Sequence, residues 1–512
     1  MRRRMIPGLH GLALAALACA CAAQSQGTPA PTSSEVQQQI QQLTENMART
    51  QAQLEQSQRQ LKEMQDQLQA LKLQMASQGA VTEPTPVTPE ISPALTPATL
   101  DEIAERQAMQ ESQIATHEQT KVETASRYPL KITGMVLLTG FVNTSGVDIP
   151  SLPAVAVAGS GSTGLSISQT SLGFDAMGPH LFGAQSYADL RVDFFGSLGS
   201  GQSGGIYSGY LSNTALMRLR TAHASLVWRN TTAYFALDRP ILSPDTPTSL
   251  TSVAEPALAW SGNLWTWNPQ LGVTSDLLLT PSKALRFQAA LIDTGDAPVS
   301  ELPYVNATTA AAPTSAELSR WPGVEARIAL LGSTMQEGRS HFGVGGYFAP
   351  HHTTIGRDFD AWAATADLGI ALPGHLELTA SAYRGLGLGG LGAGTYKDYL
   401  YYTSQTSARV FFRALDDVGG WAQLKEVPSA RLQFNAAFGI DNGFSREVRR
   451  YVVPGGTVYE NLARNQTATA NVIFSPSAYL QFSLEYRHLV SFPAIGTPFT
   501  TNVIGLAVGY KF

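Results

Sequence analysis

From Tyr128 to the last residue the chain alternates apolar and polar residues with period two, and nothing else in the sequence constrains its fold as tightly. In the last segment Ile504, Leu506, Val508, Tyr510 and Phe512 alternate with Gly505, Ala507, Gly509 and Lys511. Leu432, Phe434, Ala436, Phe438 and Ile440 do so against Arg431, Gln433, Asn435, Ala437 and Gly439. Leu480, Phe482, Leu484 and Tyr486 repeat the pattern against Gln481, Ser483, Glu485 and Arg487. Side chains on a strand point alternately to opposite faces, so each segment has one apolar and one polar face. A soluble propeller would need strands of about five residues and a repeat of about 40–50. Neither is present, and the apolar faces would make a large sticky surface in water. Segments of about ten alternating residues are the mark of a transmembrane barrel.

The connections give the strand number. Short turns fall at Met177-Gly178-Pro179-His180, Arg229 to Thr232, Thr280 to Lys283 and Gly332 to Arg339. Others fall at Leu372 to His375, Val427 to Ala430 and Ser475 to Ala478. Longer polar or Gly-rich stretches alternate with them, near 145–163, 197–213, 240–268, 294–318, 350–357, 386–407, 441–464 and 489–499. Seven turns and eight loops join sixteen strands. Short turns on one side and long loops on the other are the layout of an outer-membrane barrel. The predicted fold is all-β and transmembrane, a 16-stranded antiparallel β-barrel over 129–512. Closure leaves no unpaired edge in lipid, and sixteen strands leave an aqueous channel.

Composition agrees. Charged residues are 14% of the chain, against about 25% in soluble proteins. Past the N-terminus no apolar run reaches the about 18 residues a membrane helix requires. The net charge of −5 argues against nucleic acid as a partner.

The N-terminus reads as a signal peptide over 1–23. Arg2, Arg3 and Arg4 precede the apolar core at Leu12 to Leu17, and Ala20-Cys21-Ala22 forms a small-x-small cleavage pattern. Acylation of Cys19 or Cys21 is the rival reading. These are the two cysteines of the chain, so the mature protein carries no disulfide and no Cys metal ligand. Residues 35–78 carry a heptad with Ile40, Met47, Leu54, Leu61, Leu68 and Met75 at position a. Position d holds Val36, Leu43, Met64 and Leu71, interrupted by Thr50 and Ser57. So narrow a stripe on a lone helix needs partner copies, which predicts a periplasmic coiled coil that joins subunits. Residues 79–98 form a Thr-Pro and Ser-Pro linker of extended, semi-rigid character. Thr99 to Glu102 matches a capping box, opening a predicted helix over 99–126.

The terminal VIGLAVGYKF, with Tyr510 and the final Phe512, resembles the C-terminal assembly signal of bacterial outer-membrane proteins. The plan of export signal, coiled coil, Pro/Thr linker and barrel resembles trimeric porins with an N-terminal coiled coil, such as the DcaP-like and phosphate-selective groups. That resemblance implies a homotrimer with one pore per subunit. It aligns no selectivity residues.

The polar set of each strand is assigned to the lumen. It contains Asp189, Arg191 and Asp193, then Arg218 and Arg220, which leaves His223 on the outward face. It continues with Arg286, Glu325, Arg327, Asp367, Glu377, Lys425, Arg431, Glu485 and Arg487. Rings of wall charges set pore selectivity. Arg191, Arg218 and Arg220, on adjacent strands, form a candidate basic ladder that favours anions; the plain alternative is that wall charges pair with one another. The third long loop, Pro240 to Asn268, is the candidate constriction, with Asp245 or Glu255 facing the arginines. Trp260, Trp265 and Trp267 fit either the loop interior or the interfacial aromatic belt. His351-His352 is placed at a loop tip, and Leu386 to Gly394 is read as a lid or a plain loop.

No Gly-x-Ser-x-Gly elbow or nucleotide motif occurs, so no enzyme activity, cofactor or metal is expected. The expected function is passive diffusion of small polar solutes or ions through the outer membrane, with membrane lipid and sister subunits as partners. The alternative is a structural anchor whose coiled coil tethers the membrane to peptidoglycan or a periplasmic partner.

Overall fold

The computed structural model describes residues 121–122, 129–196, 216–299, 313–332, 340–403, 410–452 and 456–512. The signal peptide, the linker and the coiled coil with Ile40, Leu43, Met47, Leu54, Leu61, Leu68 and Leu71 lie outside the described residues. So does most of the predicted helix 99–126. Its Lys121–Val122 end is extended instead and pairs with Lys131 and Leu130.

Sixteen antiparallel strands close into a barrel. In chain order they are β1 (Leu130–Val147), β2 (two segments, Ala156–Ser166 and Ser171–Leu181), β3 (Ala184–Gly196) and β4 (Leu216–Val227). There follow β5 (Thr231–Asp238), β6 (Asn268–Thr280), β7 (Lys283–Ile292), β8 (Gly323–Gly332), β9 (Ser340–His352) and β10 (Asp358–Leu372). The last six are β11 (Leu376–Leu386), β12 (Asp416–Ser429), β13 (Leu432–Asn442), β14 (Leu462–Phe474), β15 (Leu480–Pro493) and β16 (Phe499–Lys511). Both segments of β2 pair with β1, so they are one strand interrupted at 167–170.

The seam is between the ends of the barrel sequence. Met135 to Asn143 of β1 pair with Lys511 to Val503 of β16. The Gly134 N–H donates to the Phe512 carbonyl (2.9 Å), and the Phe512 N–H donates to the Gly134 carbonyl (3.0 Å). A β-carbon on Gly134 would lie 2.4 Å from the Phe512 ring, so the missing side chain is what seats that ring. Tyr510 and Phe512 thus close the barrel.

Outward side chains are large and apolar, with Leu506, Phe438, Leu484 and Phe348 each about half exposed. An exterior band of this kind suits lipid and not water. The predicted turn Gly332 to Arg339 lies outside the described residues except for Gly332, and five others fall near the predicted sites. The first does not: Met177 to His180 form a bulge inside β2, and the chain reverses at Phe182-Gly183, both at positive φ. Paired positive φ values give the type I′ turn that matches strand twist. The Gly-Pro pair there marks a kinked edge instead of a reversal.

Candidate lumenal constriction

Loop 3 (239–267) leaves β5 and folds across the lumen to the far wall. There the Thr248 N–H donates to Gln423 Oε1 (2.6 Å). Glu485 accepts from Ser249 Oγ (2.5 Å), Thr251 Oγ1 (2.7 Å) and Asn471 Nδ2 (3.1 Å), and also pairs with Arg487. Asn465 Nδ2 donates to the Trp260 carbonyl and to Ser261 Oγ, each at 3.0 Å. Gly262, at φ 99°, allows this approach; a β-carbon on it would lie 2.1 Å from the Gly420 carbonyl oxygen. From the near side, Gln169 in the break of β2 donates to the Thr251 carbonyl and accepts from the Val253 and Ala254 N–H groups. The interruption at 167–170 thus turns a strand residue into a clamp on loop 3.

One half of the lumen is filled. Inward Ile292, Tyr347, Phe359, Ala361, Ala363 and Tyr383 of β7 and β9–β11 pack on Leu242 and Leu264 of loop 3 and on Leu388 and Leu391 of loop 6 (387–415). Leu386 to Gly394 is therefore neither a lid nor a free loop: it is buried packing. Trp260 stacks on Tyr396 of loop 6 with centroids 3.9 Å apart, and Trp265 meets it edge-on at 5.8 Å. This places Trp260 and Trp265 in the loop interior and not in an interfacial belt, while Trp267 packs edge-on against Trp265 and faces the lumen. Lys397, buried in loop 6, donates to the carbonyls of Thr395 (2.6 Å), Tyr459 (2.7 Å) and Leu462 (2.9 Å). Burial pulls its pKa down to about 7. This lysine staples loop 6 to loop 7 (443–461).

Among the described residues an off-centre gap lies between β3–β5 and residues 246–256 of loop 3, with a volume near 540 Å³. Arg191, Arg220, Thr221, Arg239, Ser252 and Trp267 line it. Arg220 arrives there through a bulge. Arg191 pairs with Thr221 and Val192 with Leu219, so Arg220 is the extra residue. The bulge shifts the phase of β4, and His223 consequently faces inward, which corrects the outward assignment. It bridges Asp189 and Asp238 at 2.9 Å each. A bulge re-aims side chains in this way without a sequence signature of its own.

The candidate charges divide into paired and unpaired. Arg191 pairs with Asp175 (2.5 Å) and Arg218 with Asp193 (2.8 Å) and the Ala254 carbonyl (2.9 Å). Arg286 pairs with Asp276 (2.7 Å), Arg327 with Asp367 (2.6 Å) and Lys425 with Glu377 (3.1 Å). The basic ladder is thus largely neutralised at two of its three members. Glu325 is buried beneath Ile241 and Leu242, outside the gap. Arg431 sits in the turn between β12 and β13 and not on the wall. Asp245 meets His341 Nε2 (2.9 Å) and lies within electrostatic reach of Arg239.

Arg220 meets no carboxylate among the described residues; its guanidinium lies 5.4 Å from the Trp267 ring centroid. Arg239 Nη1 finds no hydrogen-bond acceptor, and Nη2 reaches only the Pro244 carbonyl at 3.4 Å. Arg239 escapes strand periodicity because it begins the loop. Glu255 stays on loop 3 close to Arg218, and burial raises its carboxyl to about 7. Among the described residues no three His, Asp or Glu side chains converge as metal ligands would.

No protein-family model and no curated protein sequence matches this chain. Solved structures do. The outer-membrane channel DcaP of Acinetobacter baumannii superposes with a TM-score of 0.51 at 16% identity, covering 77% of this chain and 100% of its own. An anion-selective porin from Comamonas acidovorans reaches 0.44 at 9% identity, over 75% and 100% of the two chains. OprB of Pseudomonas putida reaches 0.43 at 11%, over 79% and 97%. The DcaP superposition carries the fold assignment, and the closed antiparallel barrel of sixteen strands agrees with it. This chain therefore has the fold of the bacterial outer-membrane porins.

Proposed function

We propose that the chain is an outer-membrane porin that passes small hydrophilic solutes passively and favours anions. One observation carries the anion preference: Arg220 and Arg239 line the gap without a salt bridge, while the other wall arginines are paired and Asp238, the carboxylate that also lines it, is engaged by His223. A cation held beside an aqueous gap attracts anions and repels cations. Loop 3 does the sieving, because it narrows the lumen to the strip beside β3–β5. The apolar packing of loops 3 and 6 holds that geometry still. The heptad over 35–78 supports a homotrimer with one such gap per subunit.

The test is planar-bilayer recording of the purified, heat-modifiable barrel. Conductance steps in groups of three support the trimer. Under asymmetric potassium chloride, a reversal potential on the chloride side supports anion preference, and one on the potassium side overturns it. A folded barrel that never conducts overturns the porin reading.

A further inference from the structure

Beneath the first residues of loop 3, on the side of the short turns, the inner wall of β3–β7 holds a second pocket with a volume near 390 Å³. It adjoins the arginine-lined gap, because Asp238 and Arg239 line both. Its wall follows one cross-strand row. Tyr187 of β3 is opposite Ser225 of β4, Ser225 is opposite Tyr234 of β5, and Tyr234 is opposite Gly272 of β6. A β-carbon on Gly272 would lie 2.4 Å from Tyr234 Oη and 2.5 Å from its Cζ, so the phenol lies across that glycine, along the wall. Thr232 and Thr274, opposite each other, stand in the next row toward the turns. Pro240, Ile241 and Pro244 of loop 3 form the roof.

The polar groups of this pocket are largely unused. The side-chain hydroxyls of Ser225, Thr232, Tyr234 and Thr274 meet no protein partner among the described residues. In the roof Ser243 is 2% exposed and its Oγ has no partner, and Arg239 Nη1 has none either. Buried polar groups are nearly always hydrogen-bonded, so both call for a partner supplied from the pocket. The carboxylates, in contrast, are engaged. His223 bridges Asp189 and Asp238, and Asp238 also accepts from the Arg239 N–H (2.7 Å). Of their four oxygens only Asp189 Oδ2 has no partner among the described residues, and it is left as an acceptor for a hydroxyl.

We propose that this pocket binds the hydroxylated body of a sugar acid, such as a uronate, whose carboxylate rests at the Arg239 end. A pyranose ring has C–H faces and a rim of hydroxyls. Tyrosine carbon on the wall and proline carbon in the roof match the faces, and the unused hydroxyls with Asp189 Oδ2 match the rim. Apolar lining with a few placed polar groups, in a volume of about 300–1,000 Å³, is the pattern of small-molecule sites. A simple inorganic anion would use the arginines and leave these hydroxyls to water. A neutral sugar would use the hydroxyls and leave the arginine. A solute with both parts uses both, and the guanidinium–carboxylate contact is the stronger of the two. The inference rests on the porin reading, since the gap is what admits the solute.

The test is saturation-transfer NMR titration of the full chain in detergent, with glucuronate, glucose and acetate as probes. Wild type should bind glucuronate about tenfold or more tighter than either of the others, which each lack one half of the contacts. Thr232→Val/Thr274→Val keeps the shape of the wall and removes two hydroxyls. It should weaken glucuronate about fivefold or more and leave acetate where it was. Heat-modifiability checks that the variant is folded. Equal affinity for the three probes overturns the subsite, and so does wild-type affinity for glucuronate in the folded valine variant. Conductance of the same samples in planar bilayers tests the porin reading separately. A barrel that binds glucuronate in this pattern but never conducts keeps the subsite and overturns the porin reading; one that conducts without the pattern does the reverse.

Discussion

Replacing Arg220 with alanine removes a wall charge that makes no salt bridge among the described residues, although Asp193 and Asp238 lie within electrostatic reach. An anion passing at about 5 Å interacts with a unit charge by roughly 0.8 kcal/mol in bulk water and roughly 3 kcal/mol at an effective dielectric of 20. The gap is open to water, so a value near 1 kcal/mol is appropriate, with opposite sign for a cation. The anion-to-cation ratio therefore changes by about 2 kcal/mol before screening. At about 0.1 M salt the Debye length is about 10 Å and removes a little under half of this. What remains is a five- to tenfold fall in the chloride-to-potassium permeability ratio, since about 1.4 kcal/mol is tenfold. The assay is the reversal potential of Arg220→Ala in a chloride gradient, beside Arg220→Lys, which keeps the charge and should keep the ratio. Near 1 M salt the difference should vanish, because the Debye length falls to about 3 Å. An unchanged ratio in a folded Arg220→Ala barrel would refute the reasoning and move selectivity to another part of the chain.

Three further outcomes follow from the same geometry. Burial holds the Glu255 carboxyl at about 7, above its ordinary 4.5, so it is neutral below that pH and charged above it. Reversal potentials should show anion preference falling as pH rises through about 7, and stability should decline between about 4.5 and 7 because the unfolded chain ionises first. Glu255→Gln should flatten both profiles. Lys397→Met would strand three carbonyls inside loops 6 and 7, each at about 1–3 kcal/mol; limited proteolysis should then cut these loops while the barrel stays heat-modifiable. Gly134→Ala would put a β-carbon 2.4 Å from the Phe512 ring, and the strain, of order 1–3 kcal/mol, should lower the urea midpoint of unfolding. An unchanged midpoint would show that the terminal ring is not tightly seated.

The strands were legible because their alternation is local. Ile504 to Phe512 and Leu480 to Tyr486 show the same two faces in the sequence and in the barrel. The turns at Leu372 to His375 and Ser475 to Ala478 were legible through their Pro and Ser residues. Phase was not. Arg220 is an extra residue in β4, and one extra residue reverses every assignment beyond it, which is how His223 came to be placed outside. The partners of the arginines were also hidden, since Asp175 and Asp193 meet Arg191 and Arg218 only across strands. Gln169 and Arg239 lie off the strands, where periodicity carries no information.

The rule that the polar set faces the lumen fails for a physical reason on β9–β11. There the inward residues Tyr347, Phe359, Ala361, Ala363 and Tyr383 meet the apolar undersides of loops 3 and 6. The outward residues of the same strands, such as Phe348, Trp362 and Ala366, form part of the apolar exterior. A wall with apolar material on both sides reads as apolar throughout, and a charge within it must be paired, as Arg327 is with Asp367. The gap lined by Arg191, Arg220 and Arg239 lies against the opposite wall. The two features depend on each other. Loops 3 and 6 can stay folded inside an aqueous lumen because β9–β11 give them an apolar bed, and the arginines can act on a solute because those loops press the passage against β3–β5. Polar replacements in the bed, far from any arginine, would on this argument widen the passage and weaken its charge selectivity together.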